Sequence, residues 1–307
     1  MSPSILSGSQ TKARIERVME RIFLLCALVA VSCVAAITIY MFVSGTPALF
    51  EVGVVEMLFG TQWVPGQNQF GILYIVLTSI VGTALAIVVG VPVAVLTAIY
   101  LAELAGEKQQ KIIRPAVELL AGIPSVVYGL LGLILLKPAM AALEKLIFAG
   151  STTHQFTGGA NLFSAVLVLA IMILPTVINV SETALRAVPA DYKAASLALG
   201  ATHIQTIFQV LLPAARSGVV TAIVLGVGRA IGEAMAIVMV AGNTVRLPLP
   251  FNGVRFLTTG IVSEMAYSQG LHRQALFTIG LVLFLFIMVI NLVLNKYLKE
   301  GNARASK

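Results

Sequence analysis

The hydrophobic residues of this chain fall in long blocks, not at the spacing of an amphipathic helix or a half-buried strand. Each block is about as long as, or longer than, the roughly 20 residues that a helix needs to cross a hydrocarbon core. Because that core offers no water to the backbone, each block is expected to be a helix. The six predicted spans are residues 22–44, 71–101, 115–136, 162–185, 217–242 and 274–294.

Composition agrees with this pattern. Of the 307 residues, 58% are hydrophobic and 11% are charged, whereas a soluble domain carries about 25% charged residues. The first block follows several basic residues, but it is too long for the roughly 7–15-residue core of a signal peptide. We therefore predict an all-α, polytopic membrane protein with six transmembrane helices.

Positive charge predicts the orientation of the chain. Of the 20 Lys and Arg residues, fourteen fall on one side of the predicted spans and five on the other. Positive charge accumulates on the cytoplasmic side, so both termini and the loop 188–213 are predicted to be cytoplasmic. The tails are residues 1–21 and 296–307, a first span with its outer loop covers 22–70, and a five-helix core covers 71–295. The net charge of +7 reflects this bias, and a nucleic-acid role explains it poorly.

The cytoplasmic loop 188–213 has the local signals of a helix, a turn and a second helix. Gly200 is a left-handed stop after the first helix, Thr202 and Gln205 form a capping box, and Pro213 ends the element. The second helix has an apolar stripe consisting of Ile204, Ile207, Phe208 and Leu211. Such a hairpin either packs on its own bundle or docks onto a partner.

Prolines interrupt two of the blocks. Pro92 predicts a kink in the second span, because proline cannot donate a helical hydrogen bond. In the third span Pro124 frees the carbonyl of Leu120. The hydroxyls of Ser125 and Tyr128 either contact a solute or satisfy this freed backbone.

The fifth block contains an ionisable pair, Arg229 and Glu233. An Arg at the centre of a membrane helix costs about 2.5–3.5 kcal/mol on insertion scales, so such residues usually serve a function. Glu233 follows four residues later on the same face of a continuous helix, and the two are predicted to pair. Gly228 and Gly232 beside them form a GxxxG pattern that lets another helix approach. The pair is either a transport site for an oxyanion or an internal packing contact.

The outer loops yield weaker predictions. Trp63 is expected to be an anchor at the membrane interface. Arg246 and Arg255 are exposed positive charges that could touch an external partner, although solvated loop residues explain them equally well.

Neither a metal site nor a nucleotide site is predicted in this chain. His154, His203 and His272 lie in three separate loops without ligand spacing. The chain has no Gly-x-x-x-x-Gly-Lys-[Ser/Thr] motif, so a process driven by ATP would need a separate ATPase.

The cytoplasmic loop resembles the signature loop of ABC-importer permeases. That pattern is Glu-Ala-Ala, three residues, Gly, nine residues, an aliphatic residue, one residue and Leu-Pro. Ala194 replaces the usual Glu here, while Gly200 and the ending Leu212-Pro213 match. The resemblance implies that this hairpin fits a groove of an ATPase subunit. The implied contact residues are Ala194, Ala195, Gly200, Ala201, Leu212 and Pro213.

Segments near residues 59–71, 120–132, 225–236 and 242–244 together resemble the PstC type of phosphate-importer permease. The resemblance implies a type I, MetI-like fold in the bacterial inner membrane, with this chain forming half of a phosphate pathway. It implies a second, different permease subunit, two ATPase subunits that bind ATP and Mg, and an external phosphate-binding protein. It also implies that Arg229 and Glu233 serve transport, with no enzymatic activity and no cofactor in this chain. Ser125 and Tyr128 are added as candidate pathway residues.

Three alternatives stay open. In the first, the protein is an importer of the same architecture whose solute is another oxyanion, such as sulfate or molybdate. The protein is an ATPase-independent channel or secondary transporter, which the docking hairpin argues against. Finally, the chain is a structural or signalling subunit in which Arg229 and Glu233 only hold helices together.

Overall fold

The computed structural model describes the backbone of residues 3–305, and almost all of it is helical, as predicted. The helices are α1 (Pro3–Val52), α2 (Val54–Phe59), α3 (Leu73–Ile99), α4 (Glu107–Gly122), α5 (Ser125–Leu131), α6 (Lys137–Ile147), α7 (Leu162–Arg186), α8 (Ala190–Ala198), α9 (His203–Thr206), α10 (Leu212–Ala214), α11 (Arg216–Gly232), α12 (Met235–Val240), α13 (Leu257–Glu264) and α14 (Gly270–Ala305). Three π-helical segments continue neighbouring helices: Tyr100–Leu104, Gly132–Leu136 and Ile207–Leu211. A small antiparallel hairpin pairs β1 (Trp63–Val64) with β2 (Gln69–Phe70).

Five helical segments of the described chain are long and apolar enough to cross a membrane. They are Ile15–Val52, Leu73–Leu104, Ser125–Ile147, Leu162–Arg186 and Gly270–Val293. A bent pair, His203–Ala214 with Arg216–Gly232, brings the total to six if it counts as one span. The number of predicted spans is therefore consistent with the structure.

The first span does not begin at residue 22. Helix α1 starts at Pro3 and includes most of the predicted tail; residues 1–2 lie outside the described residues. None of the residues in its most hydrophobic window is buried inside the chain. It contacts α14, where the rings of Tyr40 and Phe277 meet edge to face at 5.4 Å. This helix is peripheral.

The third span was predicted about three turns too early, since the structure places it at Ser125–Ile147. Its helix stops at Gly122, Ile123 is extended, and a new helix starts at Ser125. Pro124 explains the break, because proline disfavours helical geometry in the residue before it. The helical run continues to Ile147 through segments expected to be an outer loop.

Helix α7 is the centre of the bundle, with 61% of its hydrophobic window buried. It packs against α3 and α11. In α3 the helix continues without interruption through Gly90 and Pro92. A Cβ at Gly90 would lie 2.8 Å from Ile173 Cδ1, which shows how closely α3 and α7 approach.

The fifth span is broken instead. Helix α11 ends at Gly232, Glu233 is extended, and α12 begins at Met235. The continuous helix predicted over 217–242 is therefore wrong at this point. On the cytoplasmic side α11 is bent by 72° from the preceding helical segment.

The outer loops form a packed cap. Trp63 is only 9% exposed, and its Nε1 donates a hydrogen bond to Glu264 Oε2 at 2.9 Å. The expected membrane-interface anchor is therefore wrong: the indole is a buried partner of a carboxylate. Glu264 also pairs with Arg255 Nη1 at 2.5 Å and with His272 Nε2 at 2.8 Å.

Candidate transport site

Arg229 lies one turn before the end of α11, inside the bundle. Its side chain is partly exposed, and Nη1 donates a hydrogen bond to Thr176 Oγ1 of α7 at 3.3 Å. Arg229 also lies within electrostatic range of the Tyr128 phenol. The guanidinium has five N–H donors and one hydrogen-bond partner among the described residues, so it retains capacity for a ligand.

Glu233 is held away from Arg229 by the break in the helix. Its Oε1 accepts a hydrogen bond from the Ala236 backbone N–H at 3.0 Å. Its backbone carbonyl accepts one from Thr258 Oγ1 at 2.7 Å. The salt bridges found among the described residues do not include Arg229 with Glu233. The predicted i, i+4 pairing requires a continuous helix, and α11 ends one residue before Glu233.

Tyr128 is buried, and its hydroxyl donates to the carbonyl of Leu120 at 2.6 Å. This contact corresponds to the alternative in which the phenol satisfies backbone freed by Pro124. Ser125 is partly exposed at the start of α5. Gly129, one turn further, lets α5 approach α12, since a Cβ there would lie 2.7 Å from Met239 Sδ.

The predicted close approach at the GxxxG pattern is not made within this chain. A Cβ added at Gly228 or Gly232 would meet no atom within 4 Å. Close packing of α11 occurs at Gly226 instead, where a Cβ would lie 2.7 Å from Val177. The face of α11 that carries Gly228 and Gly232 is therefore open.

The cytoplasmic hairpin has the predicted local structure. Gly200 is left-handed, with φ of +86°, and follows Leu199, the C-cap of α8. Thr202 Oγ1 accepts from the Gln205 N–H at 3.3 Å, and Gln205 Oε1 accepts from the Thr202 N–H at 2.9 Å. The capping box is confirmed. The helical structure passes Pro213 by one residue and ends at Ala214.

Half of the hairpin's apolar stripe packs against the bundle, and the other half is exposed. Ile207 and Leu211 are buried in the bundle, whereas Ile204 and Phe208 are 53% and 46% exposed. Leu199, at the tip, is 89% exposed. The six implied coupling residues are all at least partly exposed: Ala194, Ala195, Gly200, Ala201, Leu212 and Pro213.

The hairpin is attached to the end of the second span. Lys193 Nζ pairs with Glu103 Oε2 at 2.6 Å, and His203 Nε2 lies 3.3 Å from the Glu103 carbonyl oxygen. Ser196 and Thr206 bring the two helices of the hairpin together at 2.9 Å. Movement of the hairpin is thus linked to α3 and its π-helical end.

Several ionic clusters were missed by the sequence reasoning. Glu182 accepts hydrogen bonds from Arg114 and from Arg186 Nε, the latter at 2.9 Å. Glu144 is fully buried and accepts from His154 and from the Thr157 N–H. Only the Glu182–Arg186 spacing of four residues could have been found from the sequence; the other partners are distant along the chain.

Glu264 illustrates the electrostatics of the outer cluster. Burial by itself raises the pKa of this carboxyl. Hydrogen bonds from His272 and Trp63, together with the charge of Arg255, more than offset that effect and hold the pKa below its ordinary value. The carboxylate is therefore ionised and fully engaged. The described residues contain no group of three or more His, Cys, Asp or Glu arranged to hold a metal ion.

Comparison with known proteins decides the family. The model of the binding-protein-dependent transport system inner membrane component matches residues 90–300. The chain belongs to this family. Like the family, it is a multi-pass inner-membrane permease and is not itself an ATPase.

Curated relatives cover nearly the same length. The probable ABC transporter permease YqgH of Bacillus subtilis is 37% identical, over 94% of this chain and 94% of its own. The phosphate transport system permease PstC of Pasteurella multocida is 35% identical, over 76% and 77%. PstC of Haemophilus influenzae is 33% identical, over 90% of both chains.

Solved structures support the permease fold. A chain of the inward-facing methionine transporter MetNI matches with a TM-score of 0.52 and 21% identity, over 75% of this chain and 94% of its own. A chain of the bacterial alginate ABC transporter, in complex with its pentasaccharide-bound periplasmic protein, matches with a TM-score of 0.60 and 15% identity. That match covers 95% of this chain and 98% of the other. The MetI-like fold prediction is confirmed.

Proposed function

We propose that this permease forms half of the translocation pathway of an ATP-driven inorganic phosphate importer. Relatives named as phosphate permeases match at 33–35% identity. The observation that carries the proposal is Arg229, a partly exposed guanidinium on a membrane-spanning helix that the nearby carboxylate does not neutralise. A guanidinium binds an oxyanion by two parallel hydrogen bonds, which suits phosphate.

Glu233 gives this site a means of release. In the conformation seen here its carboxylate is bound to the Ala236 N–H. When the helices rock, straightening of the break between α11 and α12 would bring Glu233 toward Arg229. The carboxylate would then compete with the anion for the guanidinium, so that phosphate leaves. Ser125 and Tyr128 lie on the neighbouring α5 and are proposed to line the same passage.

The hairpin formed by α8, α9 and α10 is proposed to couple this movement to ATP hydrolysis. Its exposed side chains include Leu199, Ile204 and Phe208, which suit a hydrophobic groove on an ATPase subunit. The complete importer would contain a second permease subunit, two ATPase subunits that hold ATP and Mg, and an external phosphate-binding protein. The structure of the alginate transporter with a periplasmic protein is a precedent for that last contact.

The test is uptake of labelled phosphate at low external concentration. Arg229→Leu is expected to reduce uptake to background at matched membrane levels and with ATPase association intact. Lys145→Leu is the control, because it removes an exposed cation of α6 to which no role in transport is assigned. Normal uptake by Arg229→Leu would contradict a direct role for the guanidinium.

Another oxyanion is the second candidate, since YqgH is named as a probable permease without a substrate. Competition by unlabelled sulfate and molybdate separates these solutes. Deletion of residues 192–212 tests the ATPase-independent alternative. Loss of uptake in a correctly inserted protein supports coupling, whereas persistent uptake favours a channel or secondary transporter.

A further inference from the structure

The cytoplasmic half of α7 has a polar face. Thr176, Asn179, Thr183 and Arg186 follow one another at spacings of three, four and three residues, so they lie on the same side of the helix. All four are partly or fully exposed, although α7 is the most buried span of the bundle. The outer half of α7 differs, because its exposed side chains, such as Phe163 and Ile171, are apolar.

Each end of this polar face has an arginine from another helix. At the membrane interior, Thr176 accepts the hydrogen bond from Arg229. At the cytoplasmic end, Arg114 of α4 reaches across to Glu182 of α7. Arg186 Nη2 is anchored to the Leu101 carbonyl at 2.8 Å.

Between these ends lies an open cavity of about 330 Å³. Its lining residues come from α4 and α7: Arg114, Glu118, Asn179, Glu182, Thr183 and Arg186. Such a cavity is large enough for a hydrated oxyanion, since one water occupies about 30 Å³ in the liquid.

Polar side chains inside a membrane span face protein or a water-filled passage, because contact with lipid is unfavourable. No described residue hydrogen-bonds to the side-chain amide of Asn179. The Thr183 hydroxyl donates to the Asn179 backbone carbonyl at 2.8 Å, which leaves its oxygen lone pairs free. Both side chains therefore have hydrogen-bonding capacity for a solute or for water.

We infer that this face lines the cytoplasmic half of the oxyanion path and that Arg114 and Arg186 form its exit site. This inference rests on the proposed function. The two guanidinium groups attract the anion after it leaves Arg229. Glu182 pairs with both guanidinium groups, and Glu118 lines the same cavity, so the exit site holds the anion weakly and lets it pass into the cytoplasm.

The test uses single cysteines and a membrane-impermeant, negatively charged thiol reagent. The parent is the assembled importer with Cys26 and Cys33, both exposed on α1, replaced by alanine. Asn179→Cys and Thr183→Cys are placed on the polar face, and Ile178→Cys is the matched control on the buried side of the same helix. The reagent is applied to the cytoplasmic face in inside-out vesicles.

We expect Asn179→Cys and Thr183→Cys to react and Ile178→Cys to remain unmodified. Phosphate at ten times the dissociation constant of its site on this face should slow the two reactions about tenfold, by simple competition. Reactivity equal to that of Ile178→Cys, or modification that phosphate does not slow in a parent that transports phosphate, would overturn the inference. Failure of the Asn179→Leu variant to assemble with the second permease would instead assign the face to a subunit interface and also overturn it.

Phosphate uptake by the cysteine-free parent keeps this result separate from the proposed function. If the parent takes up phosphate but the cysteines introduced at positions 179 and 183 do not react, only the exit path is contradicted. No phosphate uptake by the parent, with labelling slowed by sulfate, contradicts phosphate as the solute and still supports an oxyanion path along this face.

Discussion

Two arginine–glutamate pairs in this protein differ in whether the two side chains bond to each other. Arg255 and Glu264 are in direct contact, with side chains only 12% and 9% exposed, and Trp63 and His272 complete the hydrogen bonding of the carboxylate. Arg229 and Glu233 are closer in sequence, yet each bonds to a different partner. A carboxylate that is fully engaged holds a structure together, whereas an unneutralised guanidinium in a partly open place can exchange partners. The comparison teaches that the outer pair is a closed structural contact, whereas the inner pair is open, as our proposal for the solute requires.

The sharpest test of this comparison is Glu264→Ala. It should destabilise the protein by about 3–5 kcal/mol, because it leaves the buried Arg255 charge without a counterion. Thermal unfolding of the purified protein in detergent measures the loss. Glu233→Ala is the matched control and should lower stability much less. Equal losses of stability in the two variants would contradict the distinction between the two pairs.

Acidification should weaken the outer cluster. The pKa of Glu264 is held below its ordinary value in the folded state, so its contribution is present above the ordinary value and is lost as pH falls through the folded value. Wild type should therefore lose more stability than Glu264→Gln does as pH falls below 4.5, the ordinary pKa of this carboxyl, toward its lower folded value. Parallel curves for the two proteins would show that this carboxylate does not set the pH dependence.

Trp63→Phe should lower stability by about 1–3 kcal/mol, since it keeps an aromatic ring but removes the indole N–H from a buried carboxylate. Chemical or thermal unfolding reports the change. Trp63 fluorescence in the wild type provides a second readout, because this is the only tryptophan of the chain. Unchanged stability would indicate that His272 and Arg255 suffice for Glu264.

Thr258→Val should cost about 0.5–1.5 kcal/mol, the net value of one hydrogen bond. Thr258 and Glu264 lie near opposite ends of α13, and the Thr258 hydroxyl donates to the Glu233 carbonyl. This helix therefore joins the rigid outer cluster to the break at Glu233. Thr258→Ser retains the hydroxyl and should have the stability of the wild type. If the Ser variant is as unstable as the Val variant, the effect is due to packing.

Glu233→Gln should have the smallest effect on stability, about 0.5 kcal/mol or less, in line with a substitution away from a buried network. Its amide oxygen still accepts from the Ala236 N–H, but it no longer carries the charge needed to compete for Arg229. We expect phosphate uptake to fall sharply while the unfolding temperature stays constant. Normal uptake would leave Glu233 with only the role of capping α12.

Much of the membrane topology was predictable because it depends on local composition. The apolar blocks predicted the number of spans, and the capping box at Thr202 and the left-handed Gly200 follow from short-range hydrogen bonding and backbone freedom. The errors arose where distant residues decide the outcome. Glu264 is paired with residues from three separate segments, and no period or spacing in the sequence connects it with Trp63 at a separation of 201 residues.

The sequence by itself determined that helices must cross the membrane and that a capped hairpin follows α7, and it predicts which side is cytoplasmic. These properties are set by hydrophobicity, charge bias and turn chemistry, which act over a few residues. Only the tertiary structure decided that Pro124 starts a new helix, that α11 stops before Glu233, and that Arg229 bonds to Thr176 instead of Glu233. The physical reason is that hydrogen bonds across helices, such as those of Thr176 and Thr258, select one backbone path among several that the local sequence permits.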